Sequence, residues 1–241
     1  MATIPLINLG LSFLPVFLVL TIMFRWSLSI KDGLVALARM LIQLLIIGYA
    51  LNWIFAVDTP LIILSLLAVM LIVACSIALR PIKDKQLHSY SNALAAIALG
   101  GGLTLGFIIV WVLESQPWYK PDTIIPLAGM VFASAMNTVS ICGERFSMEL
   151  NHTSCVETAK KQAFQAGLIP LFNTLLAVGL VTLPGMMTGQ IFSGVSPLIA
   201  VRYQIVVMCM LTGAAGISAA IFLQLSANRV QGKQEAQPNK Q

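Results

Sequence analysis

The stretch LPGMMTGQIFSG, residues 183–194, lies between two long apolar runs and differs from both in composition. It contains one proline and three glycines. Proline cannot donate a backbone hydrogen bond inside a helix, and glycine weakens a helix interior. We therefore expect apolar helices on both sides of this stretch and an interruption of the helix within it.

The composition of the whole chain explains why apolar runs flank this stretch. Of its 241 residues, 58% are hydrophobic and 10% are charged, and the mean hydropathy is +0.90. A soluble domain carries about 25% charged residues, so this chain has too few polar side chains to cover a surface in water. The composition predicts an integral membrane protein. The four cysteines show no paired spacing, which argues against a disulfide framework.

Seven apolar runs approach the length of about 20 residues that a helix needs to cross a bilayer. They are residues 6–24, 33–55, 61–79, 93–113, 124–141, 168–183 and 197–225. The sixth run is short and ends in the interrupted stretch. The pattern predicts an all-α fold, a polytopic integral membrane helix bundle with about seven transmembrane helices.

The charges beside these runs predict the orientation of the chain. Basic residues such as Arg25, Arg80, Arg145 and Arg229 follow the first, third, fifth and seventh runs, whereas the alternate loops carry mostly acidic residues. Because cytoplasmic loops are enriched in Lys and Arg, we expect the N-terminus outside and the C-terminus in the cytoplasm. Residues 183–194 then lie at the outer side. This topology explains the net charge of +5 better than nucleic-acid binding does.

The same topology divides the chain into a transmembrane domain, residues 1–227, and a polar cytoplasmic tail, residues 228–241, which we expect to be disordered. Residues 143–167 form the longest cytoplasmic segment. Within it, SCVETAKKQAFQAG has a helical composition and is either a solvated helix or a contact surface for a partner. Residue types that can bind metals occur in this region without a recognisable ligand spacing. They are Cys142, Glu144, Glu149, His152 and Cys155. The sequence therefore leaves unknown whether a metal binds here and which metal it is.

Ionisable residues within the apolar runs are rare. Arg39 lies in the second run and Arg202 near the start of the seventh. Each either extends to the membrane surface or faces the bundle interior, and in the second case Arg39 shares a helix face with Gln43. The sequence shows no intramembrane titratable relay, no protease motif and no Walker A motif. If the protein moves a solute uphill, another subunit must therefore supply the energy, and we expect neither an enzyme nor a cofactor.

Small residues and methionines mark two further features. Gly102 and Gly106 in the fourth run, and Gly185 and Gly189 in the interrupted stretch, have the spacing of glycines at close helix contacts. In the interrupted stretch, the absence of side chains would let another backbone approach. The neighbouring methionines there provide either thioether ligands for a soft metal or flexible packing.

Three stretches resemble the FetB-type ABC permease family, which includes a bacterial iron-export permease and plant aluminium-sensitivity proteins. The longest is GLVTLPGMMTGQIFSGVSPLIAVRYQIVVM, residues 179–208. The others are ARMLIQLLIIGYALNWIF, residues 38–55, and IIPLAGMVFASAMN, residues 124–137. The resemblance covers nearly the whole chain. It departs from the family at Ala133 and Ser134, where glycine and asparagine are usual.

This resemblance implies a homodimeric permease of the bacterial inner membrane that exports iron or another small solute with a separate cytoplasmic ATPase subunit. Interrupted helices are tolerated at membrane depth where they line a cavity, so the stretch is a gate, an element of the dimer interface or a plain external turn. The residues expected along the translocation pathway or gate are Arg39, Gln43, Met130, Met136, Asn137, Pro184, Gly185, Met186, Met187, Thr188, Gly189, Gln190 and Gln204.

The resemblance also implies a coupling element that contacts the ATPase. Its expected residues are Glu157, Thr158, Ala159, Lys160 and Lys161. Family members continue after the equivalent of Ala159 with a further helical stretch, and about a dozen residues, roughly three helical turns, are missing here. An unenergised channel or a membrane scaffold that has lost its ATPase is therefore the alternative function.

Overall fold

The apolar runs of the sequence form helices in the structure, a computed structural model that describes residues 4–54, 59–82, 89–152 and 155–236. The helices are α1 (Leu6–Leu11), α2 (Leu14–Arg25), α3 (Ile30–Ile54), α4 (Pro60–Ala78), α5 (Tyr90–Ile97), α6 (Leu103–Phe107), α7 (Pro121–His152), α8 (Val156–Ala177), α9 (Gly185–Phe192) and α10 (Pro197–Ala236). Over the described ranges the chain contains helices and no β-sheet. The expected all-α membrane fold is confirmed.

One π-helical turn joins α5 to α6 and a second, Ile108–Val112, follows α6, so that a single helical rod runs over Tyr90–Val112. The first turn, Ala98–Gly102, carries the backbone of the rod against α10. A Cβ atom at Gly100 would lie 2.5 Å from the backbone nitrogen of Ser218. Glycine is therefore required at this crossing, and close contact between the rod and α10 depends on it.

Six helices in the described part of the chain are long and apolar enough to cross a membrane. The first is formed by α1 and α2 together, and the other five are α3, α4, the rod, α7 and α10. The expected sixth span, residues 168–183, is absent from this set. Its residues belong to α8, which begins at Val156 with charged residues in its first turns and ends at Ala177. The apolar part of α8 is therefore shorter than a bilayer-spanning helix.

The chain divides into two compact units, and the expected transmembrane domain of residues 1–227 stays a prediction. The first unit, Met1–Val57, contains α1 to α3. Within it, α2 and α3 pack closely where Leu20 meets Gly33, and a Cβ atom at Gly33 would lie 2.8 Å from Leu20 Cδ2. Most other described side chains of this unit are exposed and apolar, as is usual for helices whose solvent is lipid.

The second unit, Asp58–Gln241, has its core between α7 and α10. Buried residues recur along α7 at helical spacing, from Val131 through Ala135 and Val139 to Phe146. They pack against buried residues of α10 such as Phe222. α4, the rod and α8 surround this pair, so the long helices α7 and α10 position the remaining elements.

The tail differs from expectation, whereas the segment expected in the cytoplasm is helical. The helix predicted within SCVETAKKQAFQAG is confirmed from Val156, where α8 starts, and α7 continues to His152 before it. The expected disordered tail is helical as far as Ala236, because residues 228–236 are mostly good helix formers that extend α10. Residues 237–241 lie outside the described residues.

Candidate functional site

The stretch LPGMMTGQIFSG forms a short helix, α9, between two turns. The expected interruption is confirmed, since α8 ends at Ala177 and α10 begins at Pro197. Glycines with positive φ flank α9 on both sides, Gly179 at +87° and Gly194 at +90°. A glycine adopts this conformation without the steric cost that other residues pay. The interruption is therefore an ordered helix with a sharp turn at each end.

Pro184 and Thr188 organise the first turn of α9. Pro184 occupies the N-cap position with an extended backbone, so no helical hydrogen bond is lost to it. The Thr188 hydroxyl donates to the carbonyl of Gly185 at 3.0 Å. Because that hydroxyl hydrogen is already used within the helix, Thr188 stabilises α9 locally.

The two faces of α9 line different cavities. Met186 and Gln190, one helical turn apart, line a cavity of about 470 Å³, which we call the polar cavity. Pro184 and Met187 line a second cavity of about 760 Å³, which we call the apolar cavity. The short helix therefore separates two spaces inside the second unit.

The polar cavity lies where α7 and α10 begin. Its lining carries one carboxylate, one carboxamide, hydroxyl groups and two thioethers. Those polar and sulfur-bearing residues are Ser115, Asp122, Thr123, Met186, Gln190, Tyr203 and Met210. Apolar side chains of the rod, α7 and α10 complete the wall, among them Ile108, Leu127 and Val207.

Asp122 is the carboxylate of this cavity and remains accessible. Its side chain is 55% exposed and lies 3.4 Å from the ammonium of Lys120. The Thr123 hydroxyl donates to Asp122 Oδ1 at 3.0 Å. A half-exposed ion pair contributes little to stability, so Asp122 can exchange Lys120 for another cation at small cost.

Gln190 provides an unused acceptor in the same cavity. Its Oε1 atom is buried and has no hydrogen-bond partner among the described residues. A buried carbonyl oxygen without a donor is costly, so this position favours an occupant with positive charge or a hydrogen-bond donor. With Asp122 nearby in the lining, the cavity favours a cationic or donor-rich solute over an anion.

The described residues contain no cluster of three or more His, Cys, Asp or Glu side chains that could hold a metal ion. The metal-ligating residue types of segment 143–167 are therefore not gathered into a site. One of them, Glu149, forms an ion pair at 2.5 Å with Arg145, which lies one turn earlier on α7.

The other expected pathway residues of the second unit are not part of the polar cavity lining. Met130 and Met136 pack against the core of α7 and α10, and Asn137 is exposed. Gln204 lines the apolar cavity. In the first unit, the described side chains of Arg39 and Gln43 are exposed on α3 and separated by one helical turn. Their role in a pathway stays a prediction.

The expected close contact at Gly185 and Gly189 does not occur within this chain. A Cβ atom at either position would meet nothing within 4 Å among the described atoms. Gly102 and Gly106 likewise face open space. The glycine spacing is therefore not explained by packing within one subunit, where Gly100 makes the close contact instead.

Five polar or sulfur-bearing residues of the polar cavity were not predicted from the sequence, namely Ser115, Asp122, Thr123, Tyr203 and Met210. Functional charge was expected at mid-membrane positions, whereas Asp122 lies in the first turn of α7. Its position beside Pro121 at a helix start was a usable signal. Tyr203 and Met210 lie in an apolar run and carried no signal of their own.

The expected coupling residues lie at the first turns of α8 and contact α10. Lys160 Nζ donates to Glu157 Oε1 at 2.7 Å and to Gln224 Oε1 at 3.0 Å. Lys161 is exposed beside it. A groove of about 210 Å³ runs here between basic and apolar side chains. Its lining residues are Lys160, Lys161, Phe164, Ala220, Leu223 and Gln224.

Cys155 lies directly before α8, at its N-cap position, and is exposed. Hydrogen bonds from the side chain and the backbone of Thr158 lower the pKa of the Cys155 thiol. The first turn of a helix favours negative charge, in agreement with this direction. Cys155 is therefore an exposed thiol with a lowered pKa directly before α8.

The fold and the cavities define an all-helical polytopic membrane protein. The chain belongs to the family described as "Uncharacterised protein family (UPF0014)", whose profile matches residues 6–231. It is 33% identical to the "Probable iron export permease protein FetB" of Escherichia coli (strain K12), over 91% of this chain and 89% of that protein.

Other members of the family are similarly related. Identity is 32% to the "UPF0014 membrane protein slr1647" of Synechocystis sp., over 72% of this chain and 73% of the relative. The identity to the "Protein ALUMINUM SENSITIVE 3" of Arabidopsis thaliana is 30%, over 85% of this chain and 79% of that protein. No solved structure matches the chain.

Proposed function

We propose that this chain is the membrane-spanning permease subunit of an ABC transporter that exports iron or another small cationic solute. The relative from Escherichia coli, named as a probable iron export permease, aligns with most of both chains and supports this class of activity. The helices long enough to cross a membrane agree with such a subunit.

The polar cavity is the observation that carries the proposal. It combines the Asp122 carboxylate with the unpartnered Oε1 atom of Gln190 and the Met186 thioether. These groups offer hard and soft ligands to a metal ion without forming a tight cage. Under the expected topology the cavity opens to the outer side, so it is the exit vestibule for an exported cation.

A separate ATPase supplies the energy, since the sequence contains no Walker A motif. The groove beside Lys160 and Lys161 has basic rims and an apolar floor with Phe164 and Leu223. This lining suits a partner segment that presents acidic and apolar side chains. We assign the groove to the ATPase contact, in a homodimeric permease of the bacterial inner membrane.

The alternative is an unenergised channel or scaffold, favoured by the shortened sequence after Ala159. Affinity purification of the tagged chain in mild detergent distinguishes the two. A stoichiometric ATPase that co-purifies, and whose activity rises when Fe²⁺ is added, is the expected result for the permease. Purification of the chain without an ATPase would contradict the permease and favour the alternative.

A further inference from the structure

The apolar cavity lies on the other face of α9 and takes no part in the proposed exit vestibule. It is bounded by the end of α8, the turn at residues 178–184 and the first half of α10. We propose that this cavity is a binding site for a neutral, lipophilic small molecule that carries a hydrogen-bond donor, such as an aromatic amine or a phenol, and that reaches the site from the bilayer.

The size and the lining of the cavity fit such a ligand. Its volume of about 760 Å³ falls in the range of small-molecule sites, roughly 300–1,000 Å³. The wall is formed mainly by Leu, Val, Ile and Met side chains, and none of the described residues that line it is charged. A charged ligand would be desolvated there without a counter-charge, so the occupant is neutral.

Gln204 gives the site its polar specificity. Its side chain is only 7% exposed, and its Oε1 atom has no partner among the described residues. The nearby Thr212 hydroxyl does not supply the missing hydrogen, because it donates to the carbonyl of Met208 at 2.7 Å. A carboxamide oxygen only accepts hydrogen bonds. The ligand must therefore bring an N–H or O–H donor to a buried position.

The surroundings of the cavity explain the route of entry. Leu183 and Ile205, which line the cavity, are 60% and 57% exposed. Both are apolar and belong to a chain whose long helices span the membrane, so their exposed surface faces lipid. A lipophilic molecule dissolved in the bilayer reaches Gln204 past these side chains without crossing water.

The test compares 1-aminoanthracene, which carries an amine donor, with anthracene, which has nearly the same shape and no donor. The full chain is reconstituted in nanodiscs with Cys155→Ser, which leaves Cys209 as the exposed cysteine, since Cys75 and Cys142 are buried. Cys209 lines the cavity, so its rate of alkylation by N-ethylmaleimide reports occupancy. We expect 1-aminoanthracene to protect Cys209 at about three- to tenfold lower concentration than anthracene, the effect of one net hydrogen bond.

Two variants make the result specific to the site. Gln204→Met keeps the size of the side chain and removes the acceptor, so the two probes should then protect Cys209 equally. Val201→Trp fills the cavity and should abolish protection by either probe, whereas Ile217→Trp, on α10 outside the cavity, should not.

Three outcomes would overturn the proposal. The first is equal protection by both probes in the chain with native Gln204, and the second is a difference between the probes that persists in Gln204→Met. The third is efficient oxidative cross-linking of Cys209 between two chains in the absence of probe, which would mean that a second copy covers the cavity.

Discussion

At the scale of single residues, the polar cavity and the ends of α9 depend on few side chains. Asp122 and Gln190 are the oxygen ligands that we propose for a cation in the polar cavity, and neither is a core residue. Glycines at the two turns allow α9 to change direction at both ends. The residues proposed to bind a cation therefore differ from the glycines that set the direction of α9, and the two sets can be tested separately.

Two glycines of the same stretch should respond to alanine with opposite signs. Gly194 has φ of +90°, where a Cβ atom is strained, and Gly194→Ala should destabilise the protein by about 1–2 kcal/mol. Gly189 lies inside α9 with open space for a Cβ atom, and Gly189→Ala should stabilise it by up to about 1 kcal/mol. Thermal unfolding in detergent measures both shifts. Changes of the same sign would contradict the turn geometry.

The reactivity of Cys155 should depend on pH in a defined direction. Because hydrogen bonds from Thr158 lower the pKa of this thiol, its thiolate forms at lower pH than that of an ordinary exposed cysteine. The rate of alkylation should therefore rise at lower pH than for a model thiol such as N-acetylcysteine. In Thr158→Val the side-chain hydrogen bond is lost and the rate profile should shift to higher pH. An unchanged profile would exclude this cause.

At the scale of elements, α9 and the tip of α8 are the parts that differ most from a simple helical bundle. The sequence predicted the interruption at residues 183–194 because proline and glycine act locally on the backbone. It did not predict that the stretch would form a helix with a different cavity on each face, because the side-chain environment of Met186 and Met187 depends on α7 and α10.

The first turns of α8 lead to a prediction about coupling. Lys161 is exposed at the groove and makes a cleaner test than Lys160, which holds Glu157 and Gln224. Lys161→Glu should greatly reduce stimulation of the co-purified ATPase while leaving the amount of inserted protein unchanged, because the reversed charge repels an acidic partner surface. Lys31→Glu, in the first unit, is the matched control. Full stimulation in Lys161→Glu would remove the groove from the ATPase contact.

At the scale of the whole molecule, composition and hydrophobic runs were enough to predict an all-α membrane protein. They also predicted a span at residues 168–183, whose helix is less apolar than the other six because it starts at Val156 with charged residues and ends at Ala177. The division into two units and the position of Asp122 in a cavity depend on tertiary packing, which hydropathy along the chain does not encode.

The orientation predicted from the basic loops can be tested with a native thiol. Cys155 is exposed at the tip between α7 and α8, which the positive-inside rule assigns to the cytoplasm. A membrane-impermeant maleimide should label it in inside-out vesicles and not in intact cells, with Cys155→Ser as the control. Labelling of Cys155 in intact cells would reverse the topology and turn the polar cavity towards the cytoplasm.

In the proposed function, Asp122 and Gln190 line the exit path of an exported cation. The most direct test of this claim is ATP-driven uptake of Fe²⁺ into inside-out vesicles that contain this chain and its co-purified ATPase. Asp122→Asn combined with Gln190→Leu should lower the uptake rate by about tenfold, since two polar contacts of about 0.5–1.5 kcal/mol are lost. Glu114→Gln, an exposed carboxylate outside the cavity, should leave it unchanged. Uptake at the wild-type rate in the double variant would contradict the claim.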